Sequence, residues 1–191
     1  MLLAFVAACY SALRVILTFG LVRRVPRSSA QPTVSVVVAA RNEAQALTTL
    51  VPALLNQDYG AFEVIIVDDR STDATPALLN EWAVHNARLR TLRIEEVPEG
   101  RAPKMHALAQ GIAMSSGDIV LLTDADCAVP TTWIAGMVIA FTPEVGAVVG
   151  YVDLRANHGT LLEQIQAFDY FAMMAMAAGA TKLGHPLGAA G

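Results

Sequence analysis

The sequence predicts an α/β fold: a mostly parallel sheet with helices on both faces, preceded by an N-terminal transmembrane helix. Three observations predict it. Short apolar runs recur at residues 34–39, 62–67 and 119–122, without the polar alternation of a half-exposed strand, as expected of strands covered on both faces. Stretches of helical length separate them, opened by Asn42, by Ser71 or Thr72, and by Pro103, residue types that start helices. Finally, residues 1–22 form an apolar block followed at once by Arg23, Arg24 and Arg27.

The apolar block is about as long as a bilayer is thick, interrupted only by Tyr10, Ser11, Arg14 and Thr18. No Lys or Arg precedes Arg14, so the arginines after the block place the N-terminus outside and the main domain in the cytoplasm. A cleaved signal peptide would carry its charge in front and a shorter apolar stretch. Arg14 is costly inside a bilayer, which leaves a tilted or interfacial helix open. The expected organisation is a single-pass cell-membrane anchor over 1–22, a linker over 23–32 with two prolines, and one domain over 33–191.

Composition agrees with an anchored domain. Hydrophobic residues make up 54% of the 191 and charged residues only 16%, with a mean hydropathy of +0.47. The net charge is −4 and no basic stripe is present, which argues against nucleic acid as a partner. Cys9 and Cys127 have neither metal-ligand spacing nor the pattern of a disulfide framework.

Taken in order, residues 34–39 read as a first buried strand rich in valine. Asn42, with Gln45 three residues on, reads as the cap of a helix to about Leu55, with Pro52 ending or bending it. A turn at 57–60 leads to the strand 62–67, which stops on Asp68 and Asp69. Ser71 or Thr72 should cap the next helix, with Asp73 in its first turn facing the positive dipole end, and that helix should run to about Asn86. A weaker strand covers 89–94. Pro103 should open a helix through Met114, a helix should begin near Thr131, and 145–151 should form a fifth strand.

The strand after Gly117 carries the chemistry. It ends in Asp124-Ala125-Asp126, and on extended backbone the two acids point one way and the alanine the other. Two acids at the carboxyl end of a buried strand sit where open α/β sheets hold ligands. They repel each other, so a cation belongs with them. Oxygen ligands favour Mg²⁺ or Mn²⁺ shared with phosphate oxygens. The first strand leads into Ala40-Arg41-Asn42-Glu43 rather than a glycine-rich turn, and no P-loop or nucleophile elbow is present. A bound diphosphate would therefore be met by a metal and by side-chain cations, with Arg101 and Lys104 available.

Four segments in one order, 35–43, 66–73, 104–108 and 123–126, resemble the nucleotide-sugar half of family 2 glycosyltransferases with the GT-A fold, over roughly 33–150. The resemblance implies an inverting, metal-assisted transfer of sugar from a nucleotide-diphosphate donor, typically a UDP-sugar. It implies that Ala40, Arg41 and Glu43 border base and ribose, and that Asp69, with Asp68, contacts the base. Lys104 would lie near base or phosphates. Asp124 would touch ribose or sugar and Asp126 hold the metal on the diphosphate, Ala125 completing the DXD motif. Pro103 stands where the family often has glycine, a departure that stiffens the approach to Lys104.

The family's catalytic base lies further on, followed by an acceptor motif. Residues 184–191 resemble the glycine-rich turn before that base, so no catalytic residue is expected within the chain and the base is expected beyond Gly191. The acceptor, a lipid or polysaccharide, would bind there too. A non-catalytic nucleotide-binding or membrane scaffold module is the alternative, and a nucleotidyltransferase a weaker third. Blander roles compete at single positions. Asn42 and Asp73 read as helix caps rather than ligands, Asp68 as a strand end bonding its own backbone, and Arg41 as a solvated loop cation. His106, Met173, Met174 and Met176 read as packing residues. Residues 160–180 are apolar all round and need a partner surface.

Overall fold

The computed structural model describes residues 8, 10–12, 15, 19–22, 27–153 and 159–185. The chain divides into two compact units, residues 27–144 and residues 1–26 with 145–191.

The first unit is a four-stranded sheet, β1 (Val34–Ala40), β2 (Phe62–Asp69), β3 (Leu89–Ile94) and β4 (Ile119–Leu122), in the order β3-β2-β1-β4. Every pairing is parallel. The helices of this unit are α1 (Ala44–Leu55), α2 (Thr75–His85), α3 (Pro103–Ala113) and the short α4 (Trp133–Val138). Side chains of β1 and β2 alternate between two cores. Val34, Val36, Val38, Val64 and Ile66 pack with Leu47, Leu50, Val51 and Leu54 of α1, with Leu79 of α2 and with Ile134 and Val138 of α4. Val37, Ile65 and Val67 face the other way, onto Ala107 of α3. The unbroken valine and isoleucine runs follow from this, since neither face of the central strands meets water. Helix α3 lies so close that a Cβ on Gly111 would collide with the Val37 side chain and come within 2.9 Å of that of Val67.

The amino ends of the strands are pinned by Glu63. Its carboxylate accepts from the Ser35 hydroxyl at 2.7 Å, from the Ser116 amide and hydroxyl, and from Arg90 at 2.9 Å. Residues 27–33, expected as linker up to residue 32, carry no helix or strand but are tied down: Ser28 N–H donates to the Ile139 carbonyl, and the Tyr59 hydroxyl to that of Pro32.

Several expectations need correction. Asn42 is not a helix cap: it has φ +56°, and Glu43 takes the cap position of α1 without a side-chain bond. Helix α2 starts at Thr75, so Asp73 precedes its first turn and neither Ser71 nor Thr72 caps it. Strand β4 stops at Leu122, so the two acids that follow stand on a turn, closed by the Cys127 amide on the Asp124 carbonyl, and not on extended backbone. Residues 145–151 form no strand. Gly146 and Gly150 weaken a strand there, since glycine loses the most backbone freedom on ordering and adds no side chain to pack.

In the second unit, α5 (Leu161–Lys182) opens with a reciprocal capping box between Thr160 and Glu163. The turn Gly20–Val22 approaches α5 so closely that a Cβ on Gly20 would strike the Gly179 backbone. Leu161, Leu162, Ile165, Phe168 and Phe171 are exposed. The membrane anchor expected over 1–22 falls largely outside the described residues. Among the described residues no helix is long and apolar enough to cross a membrane.

Candidate functional site

At the carboxyl ends of the strands a cleft of about 460 Å³ opens, lined by Ala39, Ala40, Arg41, Glu43, Asp69, Pro103, Lys104, Asp124, Ala125 and Asp126. Its position follows from topology. The chain leaves β1 to build β2 and β3 on one side, then returns to place β4 on the other. The connections after β1 and β4 therefore diverge and leave a crevice, the switch point where open sheets take ligands.

Eight of the nine residues singled out in the sequence as donor-binding meet in this cleft: Ala40, Arg41, Glu43, Asp69, Lys104, Asp124, Ala125 and Asp126. Asp68 does not. Strand alternation decides this: Asp69 shares its face with Ile65 and Val67, on the side of α3, whose first residues Pro103 and Lys104 line the cleft. Asp68 shares its face with Val64 and Ile66. There its carboxylate accepts the Ser71 amide at 3.0 Å and pairs with Arg93 at 2.6 Å. Asp69, only 4% exposed, pairs with Arg70 at 2.8 Å. Arg101 does not line the cleft. His106 is half-buried on α3, its Nδ1 shielded from water and without a hydrogen-bond partner.

Two loops hold the cleft in shape by bonding each other. The amides of Asn42, Glu43 and Ala44 donate in turn to the Ser71 hydroxyl, the Thr75 hydroxyl and the Asp73 carboxylate, at 2.8, 3.0 and 3.2 Å. In the other direction the Thr72 amide donates to the Asn42 side-chain carbonyl at 2.8 Å. Thr75, side chain and then backbone, together with the Ala44 amide, holds the Asp73 carboxyl below its ordinary pKa. These bonds satisfy the first amides of α1, which would otherwise lack partners. Asn42, which takes part in two of these bonds, and Arg70 just before Ser71 both have left-handed backbone (φ +56° and +57°), which lets a short chain double back beside the cleft. Sequence reasoning missed this clamp because hydroxyl and carboxylate residues before a helix suggest local capping. Asp73 does accept the nearby Thr75 amide at 3.0 Å, but the spacing carries no sign that these side chains also reach amides of the other loop.

Across the cleft the Lys104 ammonium sits 2.6 Å from an Asp124 oxygen, both side chains about half exposed. Among the described residues no three His, Cys, Asp or Glu side chains are close enough to hold a metal by themselves. Asp124 and Asp126 still line one cleft and offer only oxygen. This donor set fits a hard divalent ion that takes its remaining ligands from phosphate and water, the usual manner of Mg²⁺.

The model of the family Glycosyl transferase family 2 matches residues 35–187. A beta-monoglucosyldiacylglycerol synthase of Nostoc sp. is 39% identical over 120 residues, 61% of this chain and 25% of the synthase. A poly-beta-1,6-N-acetyl-D-glucosamine synthase of Staphylococcus epidermidis is 30% identical over 140 residues, 72% of this chain and 32% of that one. The chain thus spans about a quarter to a third of the length of these relatives. A mannosyltransferase from Pyrobaculum calidifontis, solved in complex with GDP-Man and Mn²⁺, is similar in structure with a TM-score of 0.64 and 29% identity. The match covers 75% of this chain and 44% of that one, and the parallel α/β sheet here is of the same GT-A type.

Proposed function

The chain belongs to glycosyl transferase family 2, and from that premise we propose that its cleft binds the nucleotide-diphosphate sugar of an inverting, metal-assisted sugar transfer. The observation that carries this reading is the gathering of Arg41, Glu43, Asp69, Lys104, Asp124 and Asp126 around one crevice at the sheet's switch point.

Each side chain has a task on this reading. Asp69 accepts hydrogen bonds from the base, its carboxylate lining the cleft, buried and held by Arg70. Arg41 and Glu43 flank base and ribose, on a loop that the clamp keeps from moving. Lys104 meets the diphosphate from the start of α3, where the helix dipole adds positive potential. Asp124 and Asp126 would hold Mg²⁺ or Mn²⁺, which when bound supplies charge neutralisation for the departing nucleotide diphosphate. Deprotonation of the acceptor hydroxyl needs a general base, which the family resemblance puts beyond Gly191. A lipid or polysaccharide acceptor fits the membrane anchor proposed for residues 1–22, with the domain on the cytoplasmic side.

Calorimetric titration with UDP and GDP, with and without Mn²⁺, tests the reading. UDP is expected to bind with Mn²⁺ and to bind at least tenfold more weakly without it, and Asp126→Ala to remove the difference. The GDP-Man held by the similar mannosyltransferase makes GDP the necessary competitor. Equal nucleotide affinity with and without metal would overturn the metal assignment.

A further inference from the structure

The ion pair between Lys104 and Asp124 sets two proposed tasks against each other. Lys104 is to meet the diphosphate and Asp124 to face the metal side of the donor, yet the two pair with each other at 2.6 Å. Among the described residues neither has another ion-pair partner: the remaining pairs of this unit join Arg70 to Asp69, Arg90 to Glu63, and Arg93 to Asp68 and Glu95. Asp126 is in the same cleft, one residue beyond Ala125, and none of these pairs includes it.

Resting on the donor-site reading above, we propose that Lys104 is an exchangeable partner of the metal-side carboxylate Asp124: it holds Asp124 until the incoming diphosphate draws it off. The physical argument is charge balance. Two carboxylates in one cleft repel, and a cation between them relieves the repulsion. Lys104 supplies a cation to one of them, Asp124, from a flexible stem anchored at the first turn of α3. A divalent ion arriving alone must displace an ammonium from Asp124 and then sit beside a positive charge that has no new partner. A nucleoside diphosphate arriving with the ion offers Lys104 new oxygens, so the carboxylate is released as the metal needs it. Lys104 thereby makes metal and nucleotide binding cooperative and keeps the cleft from loading with metal alone. Pro103 suits the exchange, because it fixes the start of α3 and leaves the movement to the lysine side chain.

The signature is a variant whose effects on the two ligands have opposite sign. Free Mn²⁺ is followed by electron paramagnetic resonance while wild type, Lys104→Met and Asp124→Asn are titrated, first with Mn²⁺ alone and then with UDP or GDP present. Lys104→Met is expected to bind Mn²⁺ alone about two- to fivefold more tightly, the range that one half-exposed ion pair corresponds to. With nucleotide present the same variant is expected to bind several-fold more weakly than wild type. Asp124→Asn is expected to bind Mn²⁺ more weakly in both states. If Lys104→Met binds Mn²⁺ alone no more tightly than wild type, while wild type still shows metal-dependent nucleotide binding, the exchange is wrong and the donor-site reading stands. If wild type binds neither nucleotide more tightly with Mn²⁺, the donor-site reading falls and the exchange with it.

Discussion

The Asn42 side-chain carbonyl accepts the Thr72 amide at 2.8 Å while the Asn42 amide donates to Ser71 next door. One residue thus joins both loops that border the cleft, from a left-handed backbone. Asn42→Gly keeps that conformation and loses the side-chain bond. Asn42→Ala loses the bond and adds strain of about 1–2 kcal/mol. Urea unfolding should therefore rank wild type above Gly and Gly above Ala, and both variants should bind nucleotide more weakly because Arg41 and Glu43 lose their fixed position. Equal stability of the Gly and Ala variants would show that the backbone at residue 42 is unstrained.

Glu63 gives the fold a pH dependence remote from the cleft. Burial pushes its carboxyl up, but hydrogen bonds from Arg90, Ser116 and Ser35 outweigh that and lower it to about 2 from an ordinary 4.5. A carboxyl lowered by folding stabilises the native state above its unfolded pKa. That contribution is lost as pH falls from about 4.5 towards about 2. At neutral pH it amounts to about 3 kcal/mol at most for a shift of this size. Glu63→Gln should be less stable than wild type at pH 7, and the gap between the two melting temperatures should narrow below about pH 4.5 and close only near pH 2. A gap that stays constant with pH would mean that the charge is not what the network holds.

Helix α3 owes its close approach to a missing side chain. Gly111→Ala gains up to ~1 kcal/mol of helix propensity. It also drives a methyl into Val37 and Val67, both fully buried, where overpacking costs about 1–3 kcal/mol. A Cβ placed on Gly136, in α4, would meet nothing within 4 Å. Gly136→Ala should raise the melting temperature and Gly111→Ala lower it, two opposite signs for one chemical change.

Much of this fold was legible because its signals are local. The runs at 34–39 and 62–67 are buried on both faces, and their composition says so without reference to anything distant. The cleft was legible for a related reason: Asp69 ends a strand, Asp124 and Asp126 follow one, and Lys104 stands in the first turn of a helix, so topology brings them together. What stayed hidden depends on partners far apart in sequence. Asn42 and Asp73 resemble helix caps in isolation, and Asp73 does accept the Thr75 amide, but only the packed loops show the amide partners 30 residues from Asn42 and 29 from Asp73. The pairing of Asp68 with Arg93 is likewise set by strand register, Asp68 lying opposite Arg93 on the β2–β3 ladder.

Membrane attachment is open to a direct test. If residues 1–22 span a bilayer, the chain should stay in the membrane fraction after an alkaline carbonate wash, and deleting 1–22 should release it. Recovery of the intact chain in the wash supernatant would replace the spanning helix by an interfacial one. Persistence of the deletion variant in the pellet would move the attachment to another segment, for which the exposed Leu161, Leu162, Ile165 and Phe168 of α5 are the first place to look.

Asp68 and Asp69 are adjacent carboxylates that the fold has separated into different jobs, and paired variants can show it. Asp68 is 3% exposed; it closes the turn to Ser71 and holds Arg93, which in turn donates to the Ser71 carbonyl. Asp68→Asn keeps the shape but weakens a charged pair whose arginine is 43% exposed. A loss of about 1–3 kcal/mol in stability is expected, the usual range for a hydrogen bond to a charged group. Nucleotide affinity should fall only as far as the loop loosens. Asp69 faces the cleft, and its pair with Arg70 is with a sequence neighbour that can turn to water. Asp69→Asn loses this pair alone and should cost less stability than Asp68→Asn, which also weakens the turn to Ser71. It should weaken UDP binding roughly ten- to hundredfold, since a charged acceptor to the base is lost. Uridine, which carries the base without phosphates, should lose affinity by a similar factor, whereas inorganic diphosphate should not. If Asp68→Asn impairs uridine binding and Asp69→Asn impairs only stability, the face assigned to each carboxylate by strand alternation is reversed.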